Sequence, residues 1–571
     1  MTRFKTRLED LVDMMRNELK RNIEGLRMPY YKDLAPKYIS YSFVRTDELI
    51  VNSDVGSVDC KQHEHALIGT EVRVGRDDCK MMGYDYDFHG NFAEPAEGSL
   101  DVALWLMTDG AFKQAASDYL ERKKGKLFLS SKKKSKELVF SVEGVHEYHE
   151  DELDIGLDAA EWCRNLAGAT TLFKEHERLT DSSIELNARN TARYFINSEG
   201  SKILTNGRFY QIDMTAEGVT HHKNRKFRGD TVGVYKTMYF SDPADLPSNE
   251  ELIGITRECL DTLDALLIAP VQEPLDRPAI FDQEFSAQLL YTVLASTVLN
   301  ACCFSSVSEM TLPETGEKVL PDFLSVKDRP DMVTFTDRSG KTVHLNGRRK
   351  YDHQGMPCLP IDLITEGKVS GFPCTREYIK GMQEPNGHAI YGGDNVVPCM
   401  TNMVISSKNE DSGDQLVEKL LGICDEKGYD YGFFMSGVTE ANIDNEENFY
   451  TLTPRLTYRI WAKEAYDEDS DTHFKRGDRQ LVRGAQIVGN PDTTMTNLVS
   501  TGDDYSVTVP HEASGVSRFH QGIDSSVICP STLVSRVELK REFYPKTRPP
   551  LLPHPSYGKN KVEDKNDDSD K

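Results

Sequence analysis

Hydrophobic and polar positions recur along the chain in blocks, and the period of each block predicts an element. In Met1–Asn22, Leu8, Leu11, Val12, Met15 and Leu19 return at helical spacing between charged residues, which predicts an amphipathic helix docked on its own domain. From Tyr38 to Val74 the pattern changes to β-branched and aromatic residues bounded by polar or glycine turns. It predicts antiparallel strands at Tyr38–Val44, Leu49–Val51 and Ala66–Val74. Ser99–Glu121 returns to a helical period, with Leu104, Met107, Ala111, Ala115 and Leu120 on one side. A lysine- and arginine-rich run to Lys136 follows and reads as a solvated helix end and loop. A second helical region, Leu153–Leu179, leads into strands at Ile184–Leu186 and Arg193–Asn197 and a turn at Asn197–Gly200.

Leu252–Leu267 is helical in period again, and Pro270–Pro278 then carries three prolines in nine residues, the best candidate for a domain boundary. Beyond it come one apolar helix, Phe285–Ala301, and a long β-rich half with Gly, Pro and Asp turns. No internal repeat is evident. The residues from Phe543 are proline-rich and then almost wholly polar or charged, too poor in apolar surface to offset the entropy of ordering, so they are expected to be a disordered tail. The division expected is an N-terminal helix over 1–34, a mixed region over 35–270, a β-rich domain over 271–542 and the tail over 543–571.

Charge removes one class of partner. Against 68 Lys and Arg stand 92 Asp and Glu, a net charge of −24 over 571 residues, and phosphate binding draws its free energy from cations. Nucleic acid is therefore not an expected partner. A 38% share of hydrophobic residues is enough for packed cores. The N-terminal segment has neither the apolar stretch of a signal peptide nor a membrane span, and the eleven cysteines include no zinc-like CxxC pairs. Together these features predict reduced thiols, a cytoplasmic location and no membrane partner.

The common catalytic signatures are missing: no glycine-rich phosphate loop follows a predicted strand, and neither GxSxG nor HExxH occurs. The histidines pair weakly as His63/His65, His146/His149, His221/His222, His344/His353 and His511/His520. Strand alternation places His63 and His65 on one face, but Lys61, Gln62 and Glu64 around them point to plain exposure. Asp352 and His353, in a Gly347–Gly355 run rich in basic residues, form the most suggestive acid/base pair.

A set of short motifs, in order, gives a more specific signal. Tyr38-Ile39-Ser40-Tyr41, Glu71-Val72-Arg73-Val74-Gly75, Ala103-Leu104-Trp105-Leu106-Met107-Thr108-Asp109 and Arg193-Tyr194-Phe195-Ile196-Asn197-Ser198-Glu199-Gly200 occupy the first half. The second holds Asp352-His353-Gln354-Gly355, Leu363-Ile364-Thr365-Glu366-Gly367, Gly371-Phe372, Asn386-Gly387-His388, Pro398-Cys399-Met400-Thr401-Asn402-Met403 and Gly484-Ala485-Gln486-Ile487-Val488-Gly489-Asn490. In these pieces the chain resembles, end to end apart from the tail, the TldD/PmbA (TldE) group once called modulators of DNA gyrase. Within that group it is most similar to the longer TldD-related metallopeptidase-like proteins.

The resemblance implies an α+β chain, with an N-terminal mixed domain followed by a largely antiparallel β C-terminal domain around one buried helix. It also implies a zinc peptidase ancestry, in which HExxxH on that helix and a later cysteine hold the metal and the glutamate acts as general base. Carried over, HExxxH falls on Gln283-Glu284-Phe285-Ser286-Ala287-Gln288, and the cysteine on Ser517 after Gly515-Val516. Only Glu284, the family's general-base position, is retained. Amide and hydroxyl oxygens are poor zinc donors beside imidazole and thiolate, so no cofactor is expected. Positions five apart lie about 140° round an ideal helix, so HExxxH needs a distortion that a Gly before its second His favours; Ala287 stands there.

Three readings follow. The first is a TldE-like, metal-free member acting as the non-catalytic half of a peptide-handling complex or as a peptide-binding module, homodimeric or paired with a TldD-type subunit. The second is an active metallopeptidase with zinc in a rearranged site, recruiting His344, His353, Asp352 or His388 with Glu284 as base to cleave short unfolded peptides. A purely structural partner of a cytoplasmic complex is the third.

Overall fold

The computed structural model describes residues 8–30, 34–74, 82–85, 99–128, 138–176, 179–220, 229–294, 314–379, 384–392, 395–444, 449–467, 472–510, 525–542 and 546–547. The chain is α+β, as expected. Its first half is built on two long hairpins, β1 (Pro36–Asp54) with β2 (Ser57–Val74) and β6 (Leu179–Asn197) with β7 (Lys202–Val219). Between them in sequence lie β3 (Met82–Asp85), β4 (Leu138–Phe140) and β5 (Glu147–His149). With β8 (Gly229–Phe240) the sheet runs β3-β2-β1-β6-β7-β8, and β5 joins β7 in parallel. The separate strands expected at Tyr38–Val44 and Leu49–Val51 are one strand, and so are Ile184–Leu186 and Arg193–Asn197. The polar residues between them only alternate faces, and the two 19-residue strands pair without a break from Ser40 with Asn197 to Ser53 with Ile184.

Alternation explains the packing. Ile39, Tyr41, Phe43, Leu49 and Val51 all point to one side of β1, and helices cover that side. α1 (Leu8–Gly25) and α2 (Ser99–Phe128) cover one end, with a core of Leu11, Met15, Leu104, Met107, Ala111 and Tyr194. α3 (Ala159–Thr170) and α4 (Asn249–Ile268) cover the other, with Trp162, Leu166, Leu260, Leu263 and Ile212. The α3 helix is shorter than the helical period of Leu153–Leu179 suggests. It starts at an N-cap, where the Asp158 side chain accepts from Ala160 N, and tightens into a 3-10 turn at Thr171–Glu175. Ser248 opens α4 in a capping box with Glu251.

Between the two helix-covered ends the same face turns polar. The segment from Glu150 to Ile155 crosses it as a strap: Asn190 donates to Leu153 O (2.8 Å), Asn206 to Asp151 O (2.9 Å), Arg208 to Asp154 O (2.7 Å) and Tyr210 to Ile155 O (2.6 Å).

The second half begins with β9 (Asp276–Phe281) and α5 (Gln283–Leu294). Two sheets enclose α5. One is six-stranded and includes Leu324–Asp328, Asn402–Ser407 and Ser526–Cys529; the other includes β9, Tyr431–Asp444, Phe449–Trp461, Ala485–Gly489 and Thr532–Arg541. Pairing is mainly antiparallel, with parallel exceptions at β9, at Asn402–Val404 and at Glu410–Asp411. Phe285, Leu289, Leu290, Val293 and Leu294 are all buried in the core between the sheets. Each such side chain contributes roughly 1.5–3 kcal/mol, which makes α5 the keystone of this half. α6 (Gly413–Lys427) packs on the outer face of the larger sheet, capped by Ser412 with Gln415 and ended by Gly428 in the left-handed conformation.

Two sequence expectations change. Lys546 and Thr547, expected in the disordered tail, pair with Asp230 and Gly229 of β8; an edge strand supplies backbone partners whatever the side-chain composition. The expected basic loop starts late, because the α2 backbone stays helical to Phe128. The remainder of that run, residues 295–301 of the apolar helix, and His221, His222, His511 and His520 lie outside the described residues.

Candidate functional site

The N-terminus of α5 is where sequence reasoning places chemistry, and a turn of charged residues builds it. Asp282 caps the helix: its Oδ1 accepts from Phe285 N (2.8 Å), and its other contacts are the Ser436 hydroxyl (2.6 Å) and Gly437 N (3.1 Å). Burial pushes this carboxyl above its ordinary range, against the pull of those donors.

Glu284 stands two residues on, 32% exposed at its side chain. Both its oxygens are engaged by the Arg455 guanidinium, Oε2 at 3.1 Å from Nη1 and Oε1 by Nη2, and Val438 N donates to Oε1 at 3.3 Å. Arg455 is itself fixed from the other half of the chain, its Nε donating to Tyr235 O of β8 (3.0 Å). The strand Tyr431–Asp444 makes room for it. Gly437 has φ +62°, a Cβ there would lie 2.3 Å from Arg455 Nη1, and the pairing with Phe449–Trp461 shifts register just beyond, between Val438 and Glu440.

The two glutamines of the motif part company. Gln283 donates to Asp504 Oδ2 (2.6 Å), and Asp504 Oδ1 accepts from Ser531 N (3.0 Å) and Ser531 Oγ (2.8 Å). Gln288 is buried and donates along the helix to Thr292 Oγ1 (3.1 Å). Ser517 lies outside the described residues. The two helix positions thus present amide side chains, whose oxygens are poorer zinc donors than the imidazole nitrogens of HExxxH.

The second cluster is sealed. His388 Nε2 lies 2.7 Å from Asp328 Oδ2 with both side chains fully buried, and His388 Nδ1 lies 2.9 Å from Asn386 Oδ1. Asp328 also accepts from Thr401 N (3.0 Å) and Thr401 Oγ1 (2.9 Å). Asp352 accepts from Gln354 N (2.9 Å), Met356 N (2.8 Å) and Ala389 N (3.0 Å), while burial pushes its carboxyl up to about 6. His353 Nδ1 accepts from Tyr391 N (2.8 Å), and burial, with Arg193 and Arg349 nearby, holds the imidazole well below its usual value and neutral. His344 binds Asp245 (3.0 Å). Among the contacts of the described residues, none joins these side chains to Glu284. His63 and His65 share an outward-facing strand position, with no metal partner among the described residues.

A polar layer that sequence reasoning did not single out joins the halves. Glu71 and Arg73 of β2 are buried and bonded (2.6 Å), Gln354 Nε2 reaches Glu71 (3.3 Å), and Gln354 Oε1 accepts from Arg376 N (2.9 Å). Arg376, 1% exposed, bonds Glu199 (2.7 Å) and Ser141 O (2.7 Å) and lies over the rings of Phe140 and Tyr38. Opposite charges two apart within Glu71-Val72-Arg73, on the buried end of β2, were the available signal.

Residues 276–463 match the profile of the PmbA/TldA metallopeptidase C-terminal domain. No curated protein matches the sequence. Among solved structures, TldE from Thermococcus kodakarensis superposes with a TM-score of 0.59 at 13% identity, over 93% of this chain and 99% of that one. A protein described as a modulator of a DNA gyrase from Thermotoga maritima gives 0.57 at 16% identity, with the same coverage. One so described from Bacteroides thetaiotaomicron gives 0.60 at 13% identity, over 94% of this chain and 99% of that one. The two-part architecture described above is the fold of these proteins. Among the described residues no helix is long and apolar enough to cross a membrane.

Proposed function

We propose, from the premise that the chain belongs to the TldD/PmbA (TldE) family, that it is a metal-free member of the TldE type: a non-catalytic subunit or peptide-binding module that handles short unfolded peptides in the cytoplasm. The observation that carries this reading is the occupation of Glu284. A general base must have a free oxygen within reach of the water it deprotonates. Here a two-pronged arginine and a backbone N–H engage both oxygens, so a water must compete with a fixed cation for the carboxylate. The donor set supports it as well, since Gln283 and Gln288 present amides and the resemblance places Ser517 at the third ligand position.

An extended peptide binds by adding to a strand edge through main-chain hydrogen bonds, which requires no metal. Partnership, with a second copy or with a TldD-type subunit carrying intact HExxxH, belongs to the same proposal. The test is metal analysis with peptide binding and cleavage measured on one preparation. The protein is expected to hold far less than one zinc per chain, to bind fluorescent unstructured peptides, and to leave them uncut with or without added zinc. The triple variant Gln283→His, Gln288→His, Ser517→Cys is expected to gain chelator-sensitive zinc. Stoichiometric zinc in the unaltered chain, lost on Gln283→Ala, together with chelator-sensitive cleavage, overturns the reading in favour of an active peptidase.

A further inference from the structure

The α3 helix packs across the far end of the β1–β2 hairpin, and two thiols meet there. Register pairs Cys60 of β2 with Val51 of β1, so Cys60 shares the face on which Val51 joins the α3 core. Cys163, on the half-buried flank of α3 next to Trp162, packs against that same core, as does Val58, two residues before Cys60 on the same strand face. The hairpin end is pinned to α3 independently: Ser53 Oγ lies 2.8 Å from Thr170 Oγ1, and Gly56 N donates to Thr170 Oγ1 at 3.0 Å. Cys60 is exposed, Cys163 is half-buried, and neither is bridged.

We propose that Cys60 and Cys163 form a reversible thiol–disulfide modification site for small-molecule disulfides of the glutathione type, which staples the β1–β2 hairpin to α3 when oxidised. No other described cysteine is exposed: Cys259, Cys374, Cys399, Cys424 and Cys529 are buried, and Cys358 is half-buried. Burial raises the Cys163 thiol, and a hydrogen bond with the Cys60 thiol raises it further, so Cys163 stays protonated and the exposed Cys60 is the attacking group.

The exchange balances in two steps. The Cys60 thiolate attacks one sulfur of the oxidised reagent, the reagent's S–S bond breaks, and one reagent thiolate leaves and takes a proton. Cys163 then gives its proton to solvent, its sulfur attacks Cys60 Sγ of the mixed disulfide, and the second reagent thiolate leaves. Two protein thiols are oxidised and one reagent disulfide is reduced to two thiols.

The test treats the full chain with oxidised glutathione, blocks remaining thiols with an alkylating agent, and maps peptides without reduction. The expected result is a Cys60–Cys163 linked peptide that disappears on reduction, with the buried thiols unmodified. Cys163→Ser is expected to halt the exchange at a persistent glutathione adduct on Cys60. Cys60→Ser is expected to leave Cys163 reduced. A stable glutathione adduct on Cys60 of the unaltered chain with Cys163 still open to alkylation overturns the proposal, and so does an unmodified Cys60.

Discussion

The Glu284–Arg455 pair and the Asp328–His388 pair each set a carboxylate against a basic group, but they differ in what surrounds them. Asp328 and His388 are fully buried, and each has further fixed partners, Thr401 on one side and Asn386 on the other. Such a pair specifies a loop conformation and has no room for a substrate. Glu284 is a third exposed, and its partner arrives from a strand 171 residues away in sequence while also holding β8. The lesson is that acid/base residue types do not mark a working site by themselves. Access and the partners already in place do, and here the accessible carboxylate is engaged by an arginine and a backbone N–H.

The largest effect is expected from the sealed pair. His388→Ala leaves Asp328 buried without its basic partner, and a loss of about 3–5 kcal/mol in unfolding free energy is expected by urea titration. A loss under about 1 kcal/mol would erase the distinction drawn between the two sites. Next comes the exposed pair, approached through its backbone. Gly437→Ala puts a methyl group against Arg455 at a positive φ, and about 1–3 kcal/mol is expected to be lost, with the arginine displaced from Glu284. On the metal-free reading proposed above, that variant is expected to gain no peptide hydrolysis; hydrolysis appearing in it would make the arginine the block.

The smallest effect is a slope. His353 is held neutral in the folded chain and takes a proton in the unfolded chain below about pH 6.5, so its contribution is present above that value and is lost as pH falls. Asp352 acts with the opposite sign. Its carboxyl is raised to about 6 when folded, so its contribution is present at low pH and lost as pH rises through about 6. His353→Gln keeps an acceptor for Tyr391 N–H and removes only the first of these. Below pH 6.5 the variant is expected to lose stability on acidification less steeply than the parent, by at most about 1.4 kcal/mol per pH unit. Parallel pH profiles of the two proteins would show that His353 titrates alike in both states.

Much of this was legible in the sequence because it is local. The helical period of α5 and the strand signals around Tyr38 and Arg193 depend only on neighbouring residues; the structure keeps their types and joins the separate strand signals into longer strands. Glu284 was legible as a position only through the family resemblance, which lays HExxxH on Gln283–Gln288. Arg455 was not, since no local pattern in Thr453-Pro454-Arg455 announces a partner so far away. The one available hint was Gly437, an isolated glycine within a strand pattern, which commonly marks a bulge or a close approach. The burial of Asp352 and His388 was not legible for a related reason: burial is a property of the whole fold, and charge patterning cannot report it.

The strap from Glu150 to Ile155 has a consequence for how the first half holds its alignment. Because each long hairpin threads both apolar ends, a one-residue slip would turn out every inward side chain at the two ends simultaneously. The strands are thus fastened like a ribbon clamped at two places, and loosening α1 and α2 would leave the α3 and α4 clamp to keep count for the entire length.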